Sequence, residues 1–125
     1  MKKVTLSKIK KKYWEKLSRK VKEIHSNGEG NCICFTCGSP LKIGTSNCQA
    51  GHCYPQGAYP ALRWNLDNIR PQCFNCNVIH HGRIHEFKEK LIEEIGEERV
   101  NWLHEHRHDQ LKLSVKDYEQ MIAEL

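Results

Sequence analysis

The sequence predicts an α+β protein in which a small zinc-braced core of short strands is flanked by α-helices. Three observations carry this. All seven cysteines and all four prolines fall within residues 32–83. Apolar residues recur at helical spacing on either side of that stretch and only weakly inside it. With 125 residues the chain is sized for a single small domain, whose core gains from a metal staple.

Residues 5–25 read as the first helix. Tyr13, Leu17, Val21 and Ile24 follow one another at intervals of four, four and three, which is one face. The segment Asn27-Gly28-Glu29-Gly30-Asn31 breaks the pattern and reads as a loop. Residues 1–31 thus form a basic helix and linker, 32–83 the metal-braced core, and 84–125 a set of helices packing on it. Within the core, a helix is expected to begin near Cys73, and Leu66–Arg70 reads as a short strand that Pro71 ends. Beyond it, Ile84, Phe87, Leu91, Ile92 and Ile95 share a helical face that Gly96 stops. A further helix from Glu97 to about His108 would bury Val100 and Leu103. Ser114, with Asp117 three residues on, caps a last one.

Charge is unevenly spread. The net charge is +5, yet residues 1–25 carry ten Lys and Arg against two acidic side chains. Such a segment suits either a polyanionic partner or simple solvation of a lysine-rich helix. No run approaches the roughly 20 apolar residues of a membrane span, and no apolar run follows the basic start as in a secretory signal. A reducing compartment is therefore expected, where a cysteine-rich sequence binds metal in preference to forming disulfides.

Cys34-Phe-Thr-Cys37-Gly38 and Cys73-Phe-Asn-Cys76-Asn77 are two Cys-x-x-Cys pairs. Two thiolates on a tight turn reach one zinc ion at ~2.3 Å, and two pairs complete a tetrahedron with no open position. Cys34, Cys37, Cys73 and Cys76 are thus the expected ligands of a structural zinc. Cys48 and Cys53 flank His52 and are either free buried thiols or part of a second site; Cys32 is likewise unassigned.

Between and after the pairs stand His52, Asn68, Asn77 and His81 in that order. The parts suit phosphodiester hydrolysis. An imidazole can take a proton from water near neutral pH. A carboxamide can hold that imidazole in one tautomer. An Asn oxygen and an imidazole nitrogen can share a divalent ion, and a helix from Cys73 would put Asn77 and His81 at i and i+4 on one face. The same residues could also be a loop histidine, a turn asparagine and a helix cap. Arg63 and Trp64 are candidates to meet phosphate and stack on an unpaired base, although Trp64 serves equally as a core residue. Arg70, Arg83, Lys10, Lys11 and Lys12 are further candidates for phosphate. His104 and His108 stand at i and i+4 and more readily form a solvated, adventitious site.

The set Cys34, Cys37, His52, Asn68, Cys73, Cys76, Asn77 and His81 resembles the HNH endonucleases, whose ββα-metal motif is often braced by a Cys-x-x-Cys clamp. Asp67-Asn68-Ile69-Arg70 with Asn77 and His81 looks like the second half of the nuclease-colicin motif. That resemblance implies His52 as general base, Asn68 as its orienting partner, and Asn77 and His81 as ligands of Mg²⁺ or Mn²⁺. A closer resemblance runs through Cys34-x-x-Cys37-Gly38, Gln49-Ala50-Gly51-His52, Leu62-Arg63-Trp64-Asn65-x-Asp67-Asn68, Gln72-Cys73-x-x-Cys76-Asn77 and Leu91-Ile92-x-x-Ile95-Gly96-x-Glu98-Arg99-Val100-x-Trp102-Leu103 to the NinG (Rap) family of phage recombination proteins. It covers roughly residues 32–103. It implies a structure-selective DNA endonuclease acting on branched recombination intermediates, Holliday junctions and D-loops, in the cytoplasm of an infected bacterial host. Paired cuts at a junction would call for a homodimer. The alternative is a non-catalytic, zinc-stabilised DNA-binding module.

Two departures stand out. Many HNH enzymes carry Asp or His as a metal ligand just before the general base; this chain has Gly51 there, so fewer protein ligands, with water and phosphate, are expected to hold the ion. Where NinG proteins usually run to Ser-Gly-Asn, this chain has His81-Gly82-Arg83, so His81 as a ligand rests on the colicin comparison alone.

Overall fold

The computed structural model describes residues 4–125. Lys2 and Lys3 of the basic segment lie outside the described residues. Helix α1 (Leu6–Ile24) is capped by Thr5, whose hydroxyl accepts from Lys8 N at 3.3 Å. Ile9, Tyr13, Leu17 and Val21 are buried along it, every fourth residue, as an amphipathic helix requires.

Two antiparallel hairpins follow. Strand β1 (Asn31–Ile33) pairs with β2 (Pro40–Lys42), and β3 (Gln49–His52) pairs with β4 (Ile69–Gln72) in the register Gly51↔Arg70. A single π-turn (Asn75–Ile79) follows β4. The region expected as a strand over 66–70 divides differently. Leu66–Asn68 is a 3₁₀ turn, and the strand runs on through Pro71. Pro71 is tolerated because it faces away from β3, on the side where its carbonyl accepts from Phe35 N at 2.9 Å, so no ladder donor is lost.

Helices α2 (Ile84–Ile95), α3 (Glu97–His106) and α4 (Val115–Ala123) complete the chain. Gly96 separates α2 from α3, and Ser114 with Asp117 forms the full capping box of α4. The last two helices match their expected starts; α3 stops two residues short of His108.

Three buried clusters result. Phe87 and Leu91 of α2 and Val100 and Leu103 of α3 close over Cys53, Tyr54 and Leu62. The apolar face of α1 meets Ile69 and Tyr118 of α4. The cysteines gather with Leu41. Helix α1 therefore lies against both β3 and β4 and presents its lysines from a docked position. No described helix is long and apolar enough to cross a membrane.

Candidate functional site

The Sγ atoms of Cys34, Cys37, Cys73 and Cys76 all lie within 4.8 Å of one another. The Cys37–Cys73 separation is 3.7 Å, close to the ~3.8 Å edge of a tetrahedron with 2.3 Å metal–sulfur bonds. Gly38, at φ 79°, supplies the left-handed residue that turns the first knuckle back toward Cys34 O. Four thiols this close cannot all ionise unaided. Burial and neighbouring thiols push Cys73 up to about 12. Burial also raises Cys34, but the Thr36 hydroxyl and backbone N–H groups outweigh it and bring that thiol down to about 6. A cation with a taste for thiolate resolves the conflict, and the cluster fits a metal such as zinc.

The remaining thiols form no second metal cluster among the described residues. Cys48 turns to Cys32, with their Sγ atoms 3.5 Å apart, while Cys53 lies in the helical core.

His52 ends β3. Its Nε2 lies 3.0 Å from Arg63 O. A carbonyl only accepts, so Nε2 carries the proton and Nδ1 of the neutral ring keeps its lone pair. Burial lowers the imidazole's pKa; the bond to Arg63 O offsets this in part, and the Arg63 charge adds to the lowering. One ring face stacks on Trp14 of α1, centroids 5.1 Å apart.

The expected contact from Asn68 to His52 is replaced by another. Asn68 is wholly buried; its Oδ1 accepts from Tyr54 N at 2.7 Å, and its Nδ2 donates to Tyr54 O and Leu62 O. The side chain ties together the two ends of the loop 54–62, and the residue after Leu62 is Arg63. Asn68 thus bears on the imidazole through the backbone it fixes.

Asn77 sits on the π-turn and donates from Nδ2 to Gln49 Oε1 at 2.9 Å. His81 does not join it. The turn closes with His80 N bonded to Asn75 O, and His81 takes φ 52°, so the i, i+4 relation expected of a continuous α-helix is absent and His81 is exposed.

Of the basic residues, Lys10, Lys11 and Arg63 line a hollow beside Trp14 and Trp64. Trp14 and Gln56 also line an adjoining hollow with Ser18, Lys22, Gln49 and Asn77. Lys12 is exposed on another face of α1. Trp64 is half-buried: it packs edge-on to Tyr13, and its Nε1 donates to Tyr118 Oη at 3.1 Å, so it belongs largely to the core. Arg70 is not a surface group. It is 3% exposed, pairs with Glu94 at 2.9 Å and donates to Leu66 O and Ile69 O. Arg83 donates from Nε to Cys76 Sγ at 3.2 Å, bracing the thiolate cluster. Arg70 is thus not held out toward solvent as a phosphate contact would be, whereas Arg83 stays half-exposed.

Two residues escaped the sequence reading. Trp14 lies off the apolar stripe of α1, among lysines, which is the signal that it covers something other than core. Gln72 is fully buried directly before a metal ligand.

Fold and cluster together define a small α+β protein with helices, two antiparallel hairpins and a four-cysteine cluster that could hold a metal such as zinc. The chain belongs to the NinG family of bacteriophage proteins: the family model described as "Bacteriophage Lambda NinG protein" matches residues 1–125. It is 28% identical to protein NinG of Escherichia phage lambda over 113 residues, 90% of this chain and 53% of that one. Against protein NinG of Salmonella phage P22 it is 27% identical over 120 residues, 90% of this chain and 58% of the relative. The chain thus spans little more than half the length of these relatives. No solved structure matches it.

Proposed function

We propose that this chain is an HNH-type, metal-dependent DNA endonuclease that hydrolyses phosphodiester bonds in branched recombination intermediates. The observation that carries the reading is the fixed tautomer of His52, at the end of the first strand of a ββα unit whose helical turn bears Asn77.

The geometry supports the following roles. His52 Nδ1 takes the proton from the attacking water, and the resulting imidazolium is stabilised by its bond to Arg63 O. Asn68 keeps the loop, and hence that carbonyl, in place. Trp14 shields one face of the ring from water. Asn77 Oδ1 is a hard oxygen donor suited to Mg²⁺ or Mn²⁺, which when bound neutralises the charge that develops on the scissile phosphate. The strand of DNA would lie along Lys10, Lys11 and Arg63, whose buried Nε has no partner among the described residues. Zinc on the four cysteines supplies folding energy and no chemistry.

The test is cleavage of a labelled four-way junction and a matched linear duplex by the zinc-loaded protein, with Mg²⁺, with Mn²⁺ and with EDTA. Metal-dependent cutting of the junction, abolished in His52→Ala with DNA binding retained, establishes the activity. Equal cutting of both DNAs keeps the chemistry and removes the branch preference. Tight binding without cutting in any metal makes the chain a zinc-stabilised DNA-binding module.

A further inference from the structure

We infer that Gln72 is a second protein ligand of the divalent cation, its Oε1 occupying the place that a side chain at position 51 would otherwise fill. This rests on the hydrolytic reading above and names a residue for it.

The orientation of two carboxamides decides the matter, and each is fixed by acceptors that admit only one reading. Gln72 Nε2 donates to Gly82 O at 2.9 Å and to Thr36 Oγ1 at 3.0 Å. A carbonyl cannot donate, so the nitrogen must face Gly82 and the oxygen must face the other way. Gln49 Nε2 donates to Ser46 O at 3.1 Å, which turns Gln49 Oε1 toward Asn77 Nδ2. Asn77 Oδ1 is thereby turned away from Gln49.

Both freed oxygens converge over Gly51. A Cβ added there would collide with Gln72 Oε1 and stand 3.0 Å from Asn77 Oδ1. Gln72 is wholly buried, and its Oε1 has no hydrogen-bond partner among the described residues. An unsatisfied buried acceptor costs about 1–3 kcal/mol, and two acceptors aimed at one point repel. A cation satisfies both, as would a water donating both its protons. The placement favours the cation: the point lies at the residue before His52, on the strand that carries the base. Two amide oxygens are hard, neutral donors, suited to an ion that keeps several waters and takes phosphate oxygen as a further ligand. The shortage of ligands expected from a glycine at 51 is made good from the facing strand.

The experiment titrates Mn²⁺ into the zinc-loaded chain without DNA and reads bound ion from the loss of the free Mn²⁺ paramagnetic resonance signal. Wild type is expected to bind one Mn²⁺. Gln72→Met keeps the volume and removes the hard oxygen; it should weaken binding by about 10- to 100-fold or more, as should Asn77→Leu. Zinc content and far-UV circular dichroism report that each variant is folded. Gly51→Asp combined with Gln72→Ala puts a carboxylate into the vacated space and should restore binding, which answers the objection that Gln72→Met acts through lost packing. Unchanged Mn²⁺ affinity in a folded Gln72→Met that Asn77→Leu abolishes would overturn the assignment of Gln72 and leave the hydrolytic reading standing. A wild-type chain that binds no Mn²⁺ yet cuts DNA would overturn the assignment alone; one that does neither would overturn both.

Discussion

The imidazole of His52 is held by the main-chain oxygen of Arg63, 3.0 Å from Nε2 and eleven residues along the chain. Because that oxygen only accepts, the arrangement sets which ring nitrogen is basic without calling on a carboxylate. Burial disfavours the imidazolium and lowers the pKa from its ordinary value near 6.5. In the proposed hydrolysis the unprotonated ring is the active form, and the lowering extends that form to lower pH. The rising limb of single-turnover cleavage should therefore lie at lower pH than an ordinary imidazole would give, with a plateau above it. His52→Ala should lose a factor of ~10²–10⁴.

Trp14 stacks on the same ring. Trp14→Ala admits water to it, and the imidazole pKa should move up toward its ordinary value. A proton NMR titration of the His52 ring measures this directly. The rising limb of the cleavage profile should move up with it.

Asn68 makes three hydrogen bonds from a position with no solvent exposure. Asn68→Ala leaves Tyr54 N and O and Leu62 O to find other partners, at a cost on the order of 3 kcal/mol in urea unfolding. Cleavage should fall along with stability, since the loop that carries Arg63 O loses its anchor. An Asn68→Asp chain cannot donate to Tyr54 O or Leu62 O and should fail in the same way.

Arg70 and Lys11 should part company. Arg70→Met strips the donors from Leu66 O and Ile69 O and breaks the pair with Glu94, which is itself partly exposed; a loss of about 2–3 kcal/mol is expected, with the salt dependence of DNA binding unchanged. Lys11→Ala should leave stability within about 0.5 kcal/mol and reduce the slope of log K against log salt by about 0.9. Denaturation and binding titrations at several salt concentrations separate the two.

Atomic spectroscopy should find one zinc per chain. Chelation, or Cys34→Ser, should collapse the hairpins around the knuckles and with them the cooperative unfolding transition, because a core this small leans on its metal.

The helices were legible because their period survives in the sequence. Tyr13, Leu17 and Val21 are buried as spaced, while Ile24, expected on the same face, is exposed at the end of α1; Ser114 and Asp117 cap α4 as their three-residue separation implies. The cysteine pairs were legible because zinc dictates spacing. What the sequence hid were facts of orientation. Nothing in residue type marks Arg70 as buried or Arg83 as a sulfur partner, since a long cationic side chain reads as surface wherever it falls. The helix expected after Cys73 gave way to one π-turn and a left-handed His81, which moved a histidine off the face it was assigned to. Asn68 stood in the right place but acts on backbone.

Gln72 and Cys73 are neighbours at the end of β4, and the segment Phe35-Thr36 inside the first knuckle bonds to Pro71 and Gln72 of that strand. On the reading proposed above, one stretch of backbone would serve two ions of opposite temperament. Loading the sulfur site would then order the strand that aims Gln72, and each ion should tighten the hold on the other by the same factor. If the proposed chemistry holds, a shortage of zinc would dull it twice, once through the stability of the chain and once through its grip on the divalent cation.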